Sequence, residues 1–365
     1  MTLMKRYLLF LAVAAITLSG CRTESKKAAM RQPVDTVGFA HYSWQMDSLL
    51  NRIERYQSVQ LARANNVFPG NGTTFRVAIS PHDDYSYVGY LYPAIFSHVK
   101  SDVVIVFGVA HKAKRFHLQD RIIFGSAEEW KSPLGTIMIS PLQEKIMKEL
   151  PSAMYMVHDS MQTVEHSIEG LVPFIEHYNP GAQIIPVIVP YMSFERTAEI
   201  ASELAPAIKK VMSEAGLEWG PGYSIVISSD AVHYGNEDWG GQNYARFGVE
   251  KSGYMDAVAF EKQLMIESFA GPASEEKIKA FYHTTVSDTD YHEYKWTWCG
   301  RYSIPLGMLT AIDLAKSEGS MLNGRVIGYS TSLENDTIPV HDLGMGLTAP
   351  AKLTHWVGYP AVGFQ

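Results

Sequence analysis

Three apolar runs, Phe75–Ile79, Val103–Phe107 and Tyr223–Ile227, each give way to a short polar segment that carries a histidine. The segments are Ser80-Pro81-His82-Asp83-Asp84, Gly108-Val109-Ala110-His111 and Ser228-Ser229-Asp230-Ala231-Val232-His233. Short, nearly continuous apolar runs rich in Val and Ile read as strands buried on both faces. Helical patterns separate them. The alternation predicts an α/β fold, a single domain with a mostly parallel or mixed central sheet flanked by helices. In an open sheet of this kind the strand C-termini face one crevice, and ligands bind there. Three imidazoles delivered to that rim are placed to converge on one ion or one substrate.

The remaining pattern fills in the sheet. Apolar spacing predicts a helix from Trp44 to Ala64, closed by the turn Pro69-Gly70-Asn71-Gly72. Further helices are expected near 88–99, 141–149, 193–214, 252–268, 274–283 and 303–317. Strands are expected near 183–189, 324–330 and 355–363, with a β-rich excursion at 121–140. The segment Glu165-His166-Ser167-Ile168-Glu169 is expected to open a helix, with its two glutamates on one face. No repeat or linker interrupts residues 73–365.

The first residues carry an address. Lys5 and Arg6 precede an apolar run from Tyr7 to Leu18, too short to span a membrane, and then Leu18-Ser19-Gly20-Cys21. Residues 1–20 read as a signal peptide and 21–30 as a polar tether lipidated at Cys21, leaving 31–365 as the folded domain. The last four residues of the signal resemble a bacterial lipobox. That resemblance implies a lipid-anchored protein of the cell envelope, and Arg22 after the cysteine favours the outer membrane. An ordinary signal peptide with a chance cysteine is the alternative. A net charge of −7 argues against a nucleic-acid partner. The chain has two cysteines. With Cys21 acylated, Cys299 has no disulfide partner, so it is a buried inert thiol, a metal ligand or a redox group.

Several clusters have the residue types for chemistry. His82 with Asp83 and Asp84 suits a transition metal, with imidazole as ligand and carboxylate as orienting partner; a polar turn is the plain alternative. Glu165, His166 and Glu169 read equally as a site or as a helix start with acidic residues favoured by the dipole. Asp288, Asp290, His292 and Glu293 read as a solvated loop. Tyr85, Tyr87 and Trp298 adjoin the proposed ligands in sequence and are candidates to line a pocket.

Taken in order, these motifs resemble the Memo-like family, also called AmmeMemoRadiSam system protein B. Pro81-His82 with Tyr85, Tyr87 and Gly89, Gly108 with His111, Glu165–Glu169 with Pro173-Phe174, Ile184–Val187, Ser228–Asp230 with His233-Tyr234-Gly235, and Cys299-Gly300-Arg301 with Pro305 follow the family's order. The resemblance covers about residues 31–365. It implies a fold shared with LigB-type class III extradiol dioxygenases and a metal site at a sheet edge. Carried over by position, His82, His111 and Cys299 are the implied ligands, with copper or iron as cofactor and zinc as the alternative. His233, His166 and Asp230 are the implied catalytic groups. Asp83, Asp84, Tyr85 and Tyr87 are expected to contact a small-molecule substrate. Redox or dioxygenase-like chemistry is the function this implies. Two alternatives stand beside it. One is a zinc-dependent hydrolase, since His82-Asp83-Asp84 also resembles a motif of LmbE-type sugar deacetylases; the other is a non-catalytic binding protein. The chain departs from the family where Asp83-Asp84 replace Ala-Gly and where Val109-Ala110 precede His111.

Overall fold

The computed structural model describes residues 29–69 and 72–365. The signal segment, Cys21, most of the tether and the centre of the turn at 69–72 lie outside the described residues. The strands, in chain order, are β1 (Met30–Arg31), β2 (Val77–Ser80), β3 (Val103–Val109), β4 (Ile122–Phe124), β5 (Glu129–Ser132), β6 (Gly135–Met138), β7 (Tyr155–Val157), β8 (Gln183–Val189), β9 (Tyr223–Ser228), β10 (His233–Gly235), β11 (Gly271–Pro272), β12 (Asn323–Thr331) and β13 (His355–Phe364).

Ten of them form one mixed sheet in the order β11-β12-β13-β2-β9-β3-β8-β4-β7, with β10 paired to β13. The centre, β2-β9-β3-β8, is parallel throughout. It places the C-terminal ends of β2, β3 and β9 on one edge. These strands are buried along their length, and their side chains divide by parity between two cores. Ile105, Phe107, Ile185, Val187, Ile225 and Ile227 face one cluster, and Val104, Val106, Ile184, Ile188 and Val226 face the other. Both faces are therefore roofed, by the helices Phe194–Glu214 and Ser303–Ser317 on one side and Leu91–Phe96 and Val172–Tyr178 on the other. This is the single α/β domain with a flanked, mixed central sheet that the sequence predicts.

The departures are local. The helix expected from Trp44 to Ala64 is two helices, Ser43–Tyr56 and Ser58–Asn65. The break is at Gln57, which is buried; its amide donates to the Tyr87 carbonyl and accepts from the Tyr90 amide, so tertiary bonds replace helix continuity. The helix expected near 88–99 is likewise divided into Tyr85–Val88 and Leu91–Phe96. Met30, counted in the tether, pairs with Glu129 in a small sheet of β1, β5 and β6. Glu165–Glu169 opens no helix. Glu165 ends the helix Asp159–Val164 in an extended conformation, and a turn runs from there to the helix Val172–Tyr178. Among the described residues no helix is long and apolar enough to cross a membrane.

Candidate metal centre

Parallel register brings the three histidine-bearing strand ends together. Past β2, the His82 amide donates to Asp230 Oδ1 at 3.0 Å, which ties the β2 loop to the loop after β9. The next bend is sharp: Asp84 sits at φ 24°, held there by amides of Thr348 and Ala349 on its carboxylate. Past β3, the His111 amide and Nδ1 donate to the two oxygens of Glu165 at 2.7 and 2.8 Å. Ser167 Oγ bonds both the amide and the carbonyl of Val109, so the 165–168 turn docks on the end of β3.

Cys299 arrives from the other side. Trp296 and Trp298 donate their indole N–H groups to the buried carboxylate of Glu261, fixing the approach. Gly300 then passes so close to β9 that a Cβ there would lie 2.3 Å from Ser229 Cβ. Cys299 Sγ ends 3.8 Å from His82 Nε2 and accepts from the Asp230 amide at 3.0 Å.

The hydrogen bonds fix two tautomers. Ser228 has one hydroxyl hydrogen, and Oγ gives it to the Ser167 carbonyl, which can only accept. Ser228 therefore accepts from His82 Nδ1, 2.7 Å away, and the His82 lone pair is on Nε2. His111 Nδ1–H points at Glu165, so its lone pair is also on Nε2. Metal-binding histidines are oriented in this way, by a partner on the far nitrogen.

Burial sets the protonation. It holds His82 well below its ordinary value, reinforced by repulsion from His111, His166 and His233. It lowers His166 to about 4 and His233 to about 3. Burial opposes a charge on His111 too, but the Glu165 carboxylate outweighs it and raises that imidazole. Glu165, despite its own burial, is held at about 2 by His111 and by amides of its turn. Burial pushes Asp230 up to about 7 and raises Asp83 and the Cys299 thiol well above their usual ranges. Asp83 and the Cys299 thiol keep their protons near neutral pH until a cation displaces them.

Two donor groups share His82. In one, ligand atoms of His82, His111 and His166 lie within 4.8 Å of one another; in the other, those of His82, Asp230 and Cys299 do. The triad His82, His111 and Cys299 is thus split across two groups joined at one ring, and His166 and Asp230, expected as proton carriers, stand among the donors. His82 Nε2 is 3.6 Å from Asp230 Oδ2, a buried oxygen with no hydrogen-bond partner. Tetrahedral nitrogen and sulfur ligands at zinc-like bond lengths are about 3.3–3.6 Å apart. The donor spacing and the orphaned oxygen fit a metal ion, and the His/Asp/Cys cluster is able to hold one.

The other candidates fall as follows. His233 is half-buried beside the cluster, stacked on Trp239 at 5.3 Å, with its buried Nε2 atom unpartnered. Asp83 Oδ1 is 3.6 Å from His166 Nε2. Asp84, Tyr85 and Tyr87, expected to contact a substrate, are engaged with the backbone. Asp84 is spent on the 348–349 backbone. Tyr85 donates to the Gly170 carbonyl, Tyr87 to that of Ala349, and both rings are core. Their aromatic character reads as pocket or as packing, and packing is what the buried helix Tyr85–Val88 imposes. Glu165 as the orienting carboxylate of His111 was legible only as part of a motif. Glu261, a lone acid in the helix Lys251–Phe269, gave no signal at all.

A family model described as Memo-like protein matches residues 37–339. A MEMO1 family protein of Pyrobaculum aerophilum is 26% identical over 215 residues, covering 57% of this chain and 71% of its own. One from Methanothermobacter thermautotrophicus is 26% identical over 210 residues, with 57% and 72% covered. One from Saccharolobus islandicus is 32% identical over 165 residues, with 43% and 52% covered.

Proposed function

The chain belongs to the Memo-like family, and from that premise we propose that His82, His111 and Cys299 hold a transition metal for redox or dioxygenase-like chemistry on a small substrate. The observation that carries this reading is His82 Nε2, a lone pair fixed by Ser228 and aimed among a thiol at 3.8 Å and an orphaned carboxylate oxygen at 3.6 Å. Two imidazoles and a thiolate suit copper or zinc, and iron is the choice of the related dioxygenases. Such an ion, when bound, supplies electron exchange or polarises a substrate oxygen.

The residues around it have separable tasks. Ser228 and Glu165 orient the two rings. Asp230, near 7, holds or releases a proton at physiological pH. His233, with Nε2 unpartnered, is held neutral at physiological pH by burial and by the charges of its neighbours. His166, stacked on His111 at 4.7 Å, is a further base or ligand. The hydrolase reading asks Asp84 to act on water, and that carboxylate is occupied by two backbone amides.

Elemental analysis of protein purified without affinity metals tests the proposal. Close to one copper, iron or zinc per chain is expected, lost in His82→Ala and Cys299→Ser while the fold is retained. Wild-type protein that takes up none of the three on reconstitution would overturn it. For location, Leu18-Ser19-Gly20-Cys21 supports a lipid anchor at Cys21 in the bacterial envelope, probed by labelled palmitate. Incorporation into wild type and none into Cys21→Ser is the expected result; equal labelling of both would reject it.

A further inference from the structure

Arg301 follows Cys299 by two residues and is 3% exposed. A guanidinium stays charged, and burial of a charge is costly unless an opposite charge or a full set of acceptors meets it. Neither is present. No carboxylate among the described residues forms an ion pair with it. Its one hydrogen bond there runs from Nη2 to the His292 carbonyl at 3.1 Å, and Nε is buried with no partner.

Its surroundings are π-faces. The guanidinium carbon lies 3.4 Å from the Tyr294 ring centre, 4.7 Å from Tyr302 and 5.8 Å from Tyr191. Aromatic faces hold the fork in place, and Nε is left without a partner. Tyr191 and His292 also line a cavity of about 360 Å³, whose charged walls are Lys114, Asp290 and Glu293. On the other side, the Arg301 charge bears on His233, whose own Nε2 is unpartnered. The guanidinium therefore lies between His233 of the candidate centre and two residues, Tyr191 and His292, that line this cavity.

We infer that Arg301 is the anion-binding subsite of the substrate, and that the substrate is an organic acid whose carboxylate completes the fork beside the His/Cys cluster. A planar carboxylate matches two adjacent N–H groups of a guanidinium, and Tyr294, partly exposed and edge-on to Tyr244 with ring centres 5.9 Å apart, offers aromatic surface for the body of the acid. The inference rests on the metal-site reading for what happens to the acid, but the binding event is measurable without metal.

The full chain is titrated calorimetrically with benzoate, its uncharged isostere benzamide, and inorganic phosphate, metal content being measured on the same samples. Benzoate is expected to bind at least tenfold more tightly than benzamide and than phosphate, and Arg301→Met is expected to abolish that preference with metal content unchanged. Equal binding of benzoate and benzamide, retention of the preference in Arg301→Met, or a preference for phosphate would each overturn it. A second readout covers the variant's folding. If the charge awaits a ligand, Arg301→Met has a melting temperature no lower than wild type in the absence of anions; if the guanidinium is there for structure, it melts several degrees lower, and the subsite is rejected. Loss of metal from wild type with the benzoate preference intact would count against the metal centre alone.

Discussion

One hydroxyl hydrogen decides which nitrogen of His82 is free. Because the Ser167 carbonyl takes it, Ser228 can only accept from Nδ1, and the ring has no second tautomer that keeps this bond. Ser228→Ala removes the acceptor while leaving the strand backbone, including the Ser303 bond to the Ser228 carbonyl, in place. Removing such an orienting partner typically lowers metal affinity about 10–100-fold. That drop, with recovery in Ser228→Thr, is the expected result of competition against a chelator, together with a lower melting temperature for metal-free Ser228→Ala, which leaves the buried Ser167 carbonyl and His82 Nδ1–H unpartnered. An affinity equal to wild type would show that His82 is oriented by packing alone.

At the scale of elements, what was legible follows from which forces act locally. β3, β8 and β9 were read close to their observed bounds, because a strand buried on both faces writes its burial into consecutive residues. The helix Ser303–Ser317 was read to its ends. The turn at 165–171 was misread because its shape is set from a distance. Two glutamates four apart look helical, yet Glu165 faces His111 across 54 residues and Glu169 faces Arg31 across 138. Gly170 shows the same dependence: a Cβ there would lie 2.6 Å from the His82 carbonyl, a contact between segments that no window of sequence contains. The site was legible in the same uneven way. Its histidines and Cys299 were visible as motif residues at strand ends. Asp84, Tyr85 and Tyr87 carried the same motif signal but were claimed by backbone carbonyls and amides of the 338–349 loop and of the 165–171 turn, which only the assembled fold brings near.

Across the whole molecule, the start of the described chain is clamped to the centre of the site. Arg31 lies on Trp130 of the small sheet, 4.3 Å from its ring centre, and spends its fork on three acceptors. Nη1 meets Glu169 at 2.7 Å, Nε meets the Gln162 carbonyl at 3.0 Å, and Nη2 meets the carbonyl of Glu165 itself. Glu169 in turn accepts from the amides of Val34 and Asp35. Both partners are buried, so removal of one leaves a charge without water or counter-charge, a change that costs about 3–5 kcal/mol. Arg31→Ala is expected to lose that much in urea unfolding. Because the same side chain pins the turn that presents Glu165 to His111, metal affinity should fall with it, while Arg31→Ala combined with Glu169→Gln regains part of the stability but not the affinity. A stability loss with unaltered metal binding would confine the strap to folding. A parallel loss of both would mean that residues 29–35 hold the His111 side of the centre in place from the far end of the sequence.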